Sequence, residues 1–169
     1  MACDLTVGRL RQCADSIGGL DKMYLVNFVD DAFTVVDGEA TAINPLVTVA
    51  YEYEITGDVH NLAQDFVKSR DNGTSVNTQT ITAILQKMDS TTSNELKKLV
   101  QGRTVVVLKD RNGDYVACGL DDGVDFSVNA STGSAKADLN GYTLTGVSTV
   151  KEFAPTLDAT TITAFLALV

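Results

Sequence analysis

Residues 61–88, NLAQDFVKSRDNGTSVNTQTITAILQKM, decide the fold. Asn61 to Ser69 reads as a strand, and Arg70-Asp71-Asn72-Gly73-Thr74 reads as a turn. Ser75 to Met88 reads as a long strand with Gln79, Ile81, Ala83 and Leu85 on its buried side. Side chains alternate across a strand, so this period of two predicts an extended hairpin with one polar face rich in Thr78, Thr80 and Thr82.

Strand signals continue outward on both sides. Upstream, Met23-Tyr24-Leu25-Val26-Asn27-Phe28 is short, aromatic and β-branched and stops at Asp30-Asp31; Phe33 to Val36 is a second short strand closed by Asp37-Gly38. After Pro45, Val47, Val49, Tyr51, Tyr53 and Ile55 alternate with Thr48, Glu52, Glu54 and Thr56, which predicts a half-buried strand. Downstream, Val105-Val106-Val107-Leu108 is apolar on both faces and so predicts a central strand over Arg103 to Lys109. Arg111-Asn112-Gly113-Asp114 supplies the positive φ angles of a tight turn into Tyr115 to Leu120. Further strands are expected at Val124 to Val128 and Tyr142 to Phe153.

Helical spacing is clear once. In Ser90 to Gln101, Thr92 and Glu95 read as a capping box, Leu96, Leu99 and Val100 form an i, i+3, i+4 stripe, and Gly102 is the stop. Residues 1–21, with Gly8, Gly18 and Gly19, read as an N-terminal arm with one short helical turn at Thr6 to Ala14. Residues 154–169 read as a C-terminal extension in which Thr160 to Val169 is either a strand added to a neighbour or a last helix docked on the core. Between them, residues 22–153 form one domain. The expected fold class is mainly β (α+β), a β-sandwich or barrel of antiparallel strands with one flanking amphipathic helix at about 90–101.

Composition narrows the function classes. An apolar fraction of 44% with 21% charged residues over 169 residues suits one globular domain able to close its own core. No run of eighteen or more apolar residues exists, and the start lacks the basic-then-apolar order of a secretory signal, so no membrane partner is expected. A net charge of −9 repels duplex DNA rather than neutralising its phosphates. Cys3, Cys13 and Cys118 are an odd count with no C-x-x-C spacing, which argues against a disulfide framework or a thiolate zinc site and fits a reducing cytosol. Cys118 reads as a small buried hydrophobe, and Cys3 and Cys13 as free thiols near an interface.

Catalytic patterns are missing. The single histidine, His60, rules out sites built on paired histidines and reads as a satisfied surface or edge residue. No Gly-x-Ser-x-Gly elbow, phosphate loop or dinucleotide fingerprint occurs, so no enzyme, catalytic residue or cofactor is expected. Asp110, Asn112 and Asp114 alternate as calcium ligands do, with Asp121, Asp122 and Asp125 downstream, but the bidentate Glu that ends a twelve-residue loop is absent. These three are weak metal candidates only.

The order of elements resembles the tail tube proteins of tailed bacteriophages. The stretches that carry the likeness are Gly18 to Phe28, Ser69 to Thr74 with its following strand, Leu85 to Asp89 leading into Glu95 to Leu99, and Asp110 to Asp114 with Gly119. The resemblance covers most of residues 15–150. It implies a virion structural protein whose six copies form a ring, with rings stacked into a tube for DNA ejection. Its partners would be itself, other phage tail proteins, and DNA passing without specific binding. Its location would be the virion tail, after assembly in the cytoplasm of the bacterial host. Lumen-facing candidates are Glu52, Glu54, Thr78, Thr80 and Thr82. Inter-subunit candidates are Arg70, Asp71, Asn72, Gly73, Leu20 and Tyr24, with the arm and the 61–88 hairpin making the contacts. Two alternatives stay open: a head-to-tail connector or capsid-decorating protein, and a calcium-dependent carbohydrate-binding β-sandwich on the Asp110 to Asp125 cluster.

Overall fold

The computed structural model describes residue 5 and residues 7–169. Over these residues the chain is mainly β, with two mostly antiparallel sheets, two short helices and no closed barrel. Its strands are β1 (Leu20–Asn27), β2 (Phe33–Val36), β3 (Glu39–Ile43), β4 (Tyr51–Glu54), β5 (Asn61–Ser69) and β6 (Thr74–Gln86), followed by helix α1 (Ser90–Gln101). After the helix come β7 (Thr104–Asp110), β8 (Tyr115–Cys118), β9 (Asp125–Ser131), β10 (Gly141–Val150), β11 (Thr156–Leu157) and helix α2 (Ala159–Leu166). The seven-stranded sheet runs β2-β3-β11-β8-β7-β1-β4, and the four-stranded sheet runs β5-β6-β10-β9.

Two apolar layers hold the sheets. Met23, Leu25, Val106, Leu108 and Cys118 of the larger sheet meet Ile81, Ala83, Phe126, Tyr142 and Leu144 of the smaller one, with Leu96 and Leu99 of α1 joining the same layer. On the other face of the larger sheet, Tyr24, Val26, Val105, Val107 and Tyr115 pack with Phe165 of α2. β7 is therefore buried on both faces, as its unbroken Val-Val-Val-Leu run requires. Burial pushes the Cys118 thiol up to about 12, so it behaves as a small hydrophobe.

Several expectations change. The strand after Pro45 is only β4: Val47 is buried, but Val49 and Tyr51 are 46% and 52% exposed. β4 lies at a sheet edge, and the preceding chain turns away so that Ala50 N donates to Leu168 O instead of to a strand. β3 carries no aromatic and one buried residue, so its pattern is weak in sequence, and it exists because β2 and β11 pair with it. No helix forms over residues 7–14, where no neighbour supplies an apolar face; Thr6 lies outside the described residues. The C-terminal segment is integral to the fold, since β11 bridges β3 and β8 and α2 covers the larger sheet. Val100 of the predicted helical stripe is 48% exposed, because only Leu96 and Leu99 meet the core.

The α1 cap is Asp89 rather than the Thr92–Glu95 pair. Its carboxylate accepts from Thr92 N at 2.7 Å and Thr92 Oγ1 at 2.6 Å, while Glu95 instead pairs with Lys98. Asp158 caps α2 by accepting from Thr161 N at 2.6 Å. Hydrogen bonds from Thr92 and Thr161 hold both carboxyls below the usual carboxylate range. A carboxyl with a depressed folded pKa contributes stability above its unfolded value, about 3.9, and loses it as pH falls through the folded one. Asparagine caps equally well without titrating. The Asp89→Asn/Asp158→Asn protein should therefore show a shallower loss of stability below about pH 4 in acid titrations followed by circular dichroism. An unchanged pH slope would exclude the two caps as acid-sensitive points.

Candidate assembly surface

β10 pairs with β6 from Gly141↔Gln86 to Val150↔Asn77, which sets two faces on the four-stranded sheet. Asn77, Gln79, Ile81 and Ala83 point inward and are buried, as the period of two predicts, while Leu85 is half-buried. Register then places Thr78, Thr80, Thr82 and Ile84 of β6 on the outer face, beside Thr149, Val147, Thr145 and Thr143 of β10. Asn61, Ala63 and Asp65 of β5 extend that face on one side, and Asp125, Ser127 and Asn129 of β9 on the other. None of these fourteen positions is Lys or Arg. The result is a small-residue, hydroxyl-rich surface whose charged groups are Asp65 and Asp125.

Among the described residues the sheet ends at β5 and β9, each paired on one side only. Unpaired strand edges template further strands, and a protein that leaves them open uses them or must protect them. The β5–β6 hairpin overhangs its own core at the tip, where residues from Asp65 to Lys68 and from Thr74 to Val76 are exposed. Phe66 stacks on Phe153 at 5.2 Å, and both stay about half-exposed. Arg70, Asp71, Asn72 and Gly73 form the exposed tip, with Gly73 at φ +64° as this turn requires.

The expected lumen residues do not share one surface. Glu54 and Glu52 sit opposite Lys22 and Tyr24, on the face of the larger sheet that turns away from the four-stranded sheet. Lys22 holds both, at 2.5 Å from Glu52 and 3.7 Å from Glu54. Only the three threonines belong to the outer face described above. Leu20 and Tyr24 are 7% and 2% exposed, so their side chains are committed to their own core; Tyr24 stacks on Tyr115 at 6.2 Å. Their apolar, aromatic character reported burial rather than contact with a neighbour.

The acidic alternation at the β7–β8 turn has a structural task. Asp110 Oδ1 accepts from Asn112 N and Asp114 N, and its Oδ2 accepts from Asn112 Nδ2. Asn112 in turn clamps the arm, accepting from Ile17 N at 2.8 Å and donating to Ile17 O at 2.9 Å. Asp121 accepts from Lys151 N. Among the described residues no group of three or more His, Cys, Asp or Glu side chains is placed to hold a metal ion.

His60 is buried, not at the surface. Its Nδ1 accepts from Ile84 N at 3.2 Å and its Nε2 donates to Thr56 O at 3.1 Å, tying the loop before β5 to β6. Cys13 is exposed on the arm, and Cys3 lies outside the described residues. Sequence reading also missed a polar seam beneath the hairpin. Gln64 Oε1 accepts from Asn77 Nδ2 and Ala154 N, Asn77 Nδ2 also donates to Glu152 O, and Gln79 Oε1 accepts from Gly119 N. Amides at inward positions of two paired strands were the available signal.

No protein-family model matches the chain, and no curated protein and no solved structure matches it.

Proposed function

We propose that this protein is a non-catalytic structural subunit that closes into rings and stacks into a tube, the tail tube of a tailed bacteriophage, through which DNA passes without being bound. The observation that carries this is the outer face of the four-stranded sheet, which is small, polar and free of basic side chains and is bounded by two open edges. Joining β5 of one copy to β9 of the next satisfies both edges and gives a closed wall with that face continuous around it. With six copies, as the sequence resemblance implies, about 24 strands at roughly 4.8 Å spacing make a wall at least about 37 Å across. Short side chains leave the interior wide enough for a DNA duplex. A wall without Lys or Arg offers phosphates no counterion-releasing contact, so the polymer slides instead of sticking.

His60 has both ring nitrogens committed to its own backbone, so it is not available as a catalytic base. The carbohydrate-binding alternative loses its anchor, because the Asp110 carboxylate is occupied by its own turn.

Electron microscopy of the purified chain tests the proposal together with a variant carrying Asn61→Lys and Ser127→Lys, which sets like charges on the two edges that meet at each joint. The unaltered chain should form rings and hollow tubes. The variant should keep its circular dichroism spectrum and remain monomeric. Discrete rings that never stack favour the head-to-tail connector. A chain that stays monomeric at high concentration, or a variant that assembles as before, removes the proposal.

A further inference from the structure

The sequence holds three Asn-Gly pairs, Asn72-Gly73, Asn112-Gly113 and Asn140-Gly141. Asparagine is thermolabile, most of all before glycine, whose missing Cβ lets its own nitrogen close on the asparagine side chain. Ring closure needs a free side-chain amide, a free glycine N–H and room to bring the two together. The fold treats the three pairs differently.

Asn112 is locked. Its Oδ1 accepts from Ile17 N, its Nδ2 donates to Ile17 O and Asp110 Oδ2, and Gly113 N donates to Asp110 O at 3.3 Å. Asn140 is walled in. Gly141 is buried where β10 pairs with both β6 and β9, a Cβ at that position would run into Leu85 O, and Asn140 O is held by Lys87 N at 2.7 Å. Asn72 is under neither restraint. It is exposed at the tip of the β5–β6 hairpin, where its main-chain N donates to Ser69 Oγ at 3.4 Å. Its side chain has no hydrogen-bond partner among the described residues, and neither has Gly73 N–H. The space where a Cβ would stand at Gly73 is open to 4 Å.

We propose that Asn72 is a self-modification site, converted to aspartate or isoaspartate in the folded chain while Asn112 and Asn140 are spared. Gly73 N gives its proton to solvent base and attacks Asn72 Cγ. The new C–N bond closes a succinimide ring, the Cγ–Nδ2 bond breaks, and Nδ2 leaves as ammonia. Water then opens the ring at either carbonyl, giving aspartate or, with the main chain routed through the side chain, isoaspartate. Water is the only co-reactant, and nothing is oxidised or reduced. Each event adds one negative charge beside Asp71, on a chain whose net charge is already −9. Isoaspartate also adds a methylene to the main chain between Ser69 and Thr74, which face each other across the turn. The chemistry needs only an exposed tip, so it goes beyond the tube proposal and does not depend on it.

The test follows the three asparagines by peptide mass spectrometry in the full-length chain, kept dilute and unassembled. The chain is incubated in mildly alkaline buffer, once folded and once unfolded in guanidinium chloride. In the folded chain Asn72 should convert at least about tenfold faster than Asn112 and Asn140, whose conversion waits on local opening. In denaturant the three rates should converge. The acidic form that accumulates on ion exchange should be lost in Asn72→Gln, whose longer side chain closes the ring poorly. A folded chain in which Asn72 stays intact, or in which Asn112 or Asn140 converts as fast, overturns the proposal. So does a spread of rates that persists in denaturant, because local sequence rather than the fold would then set it.

Discussion

Phe165→Ala should lower the free energy of unfolding by about 3–5 kcal/mol, the range for emptying a buried phenylalanine site. Phe165 is fully buried, meets Tyr24 edge-on at 5.5 Å and an 88° interplanar angle, and lies 6.1 Å from Phe33. Its loss removes apolar burial and leaves a cavity between α2 and the larger sheet, because β7 and β1 are pinned on their other face by the inter-sheet core and cannot collapse into the space. Equilibrium denaturation in urea would read this as a lower midpoint with little change in slope. A loss under about 1 kcal/mol would mean that α2 does not close the second apolar layer.

His60→Phe should cost about 1–3 kcal/mol, although it keeps an aromatic ring in a buried position. Ile84 N–H would lose its acceptor inside the sheet, and a buried polar group left unpaired costs about 1–3 kcal/mol, whereas the Thr56 carbonyl sits on an exposed residue where water replaces its donor. The same substitution frees the loop that leads into β5, so exchange of the Ile84 amide should accelerate more than that of amides in β7. Equal protection of Ile84 in both proteins, measured by hydrogen exchange, would show that the ring is not the acceptor.

The structure assigned His60 a place that its neighbours in sequence do not announce. A lone histidine before an exposed strand carries no periodic signal of its own, and its burial depends on the register of the β5–β6 hairpin, which sets Ile84 N–H against its ring. The same holds for Glu52 and Glu54. Their alternation with Tyr51 and Tyr53 was legible, but β4 lies at an edge and its register opposite Lys22 turns the two carboxylates away from the threonine face. Leu20 and Tyr24 show the reverse error, since apolar side chains suit a core and an interface equally well, and only packing tells them apart.

The sequence by itself determined the β character, the 61–88 hairpin with its buried and polar faces, the central β7 strand and helix α1. These features rest on periodicity and turn chemistry acting between residues near one another in the chain. Tertiary structure alone decided that α2 is a helix docked on the larger sheet, that β3 and β11 exist, that no barrel closes within one chain, and that β5 and β9 are left as open edges. Those outcomes depend on which distant segments meet, where burial of Phe165 and pairing to β8 outweigh weak local preferences.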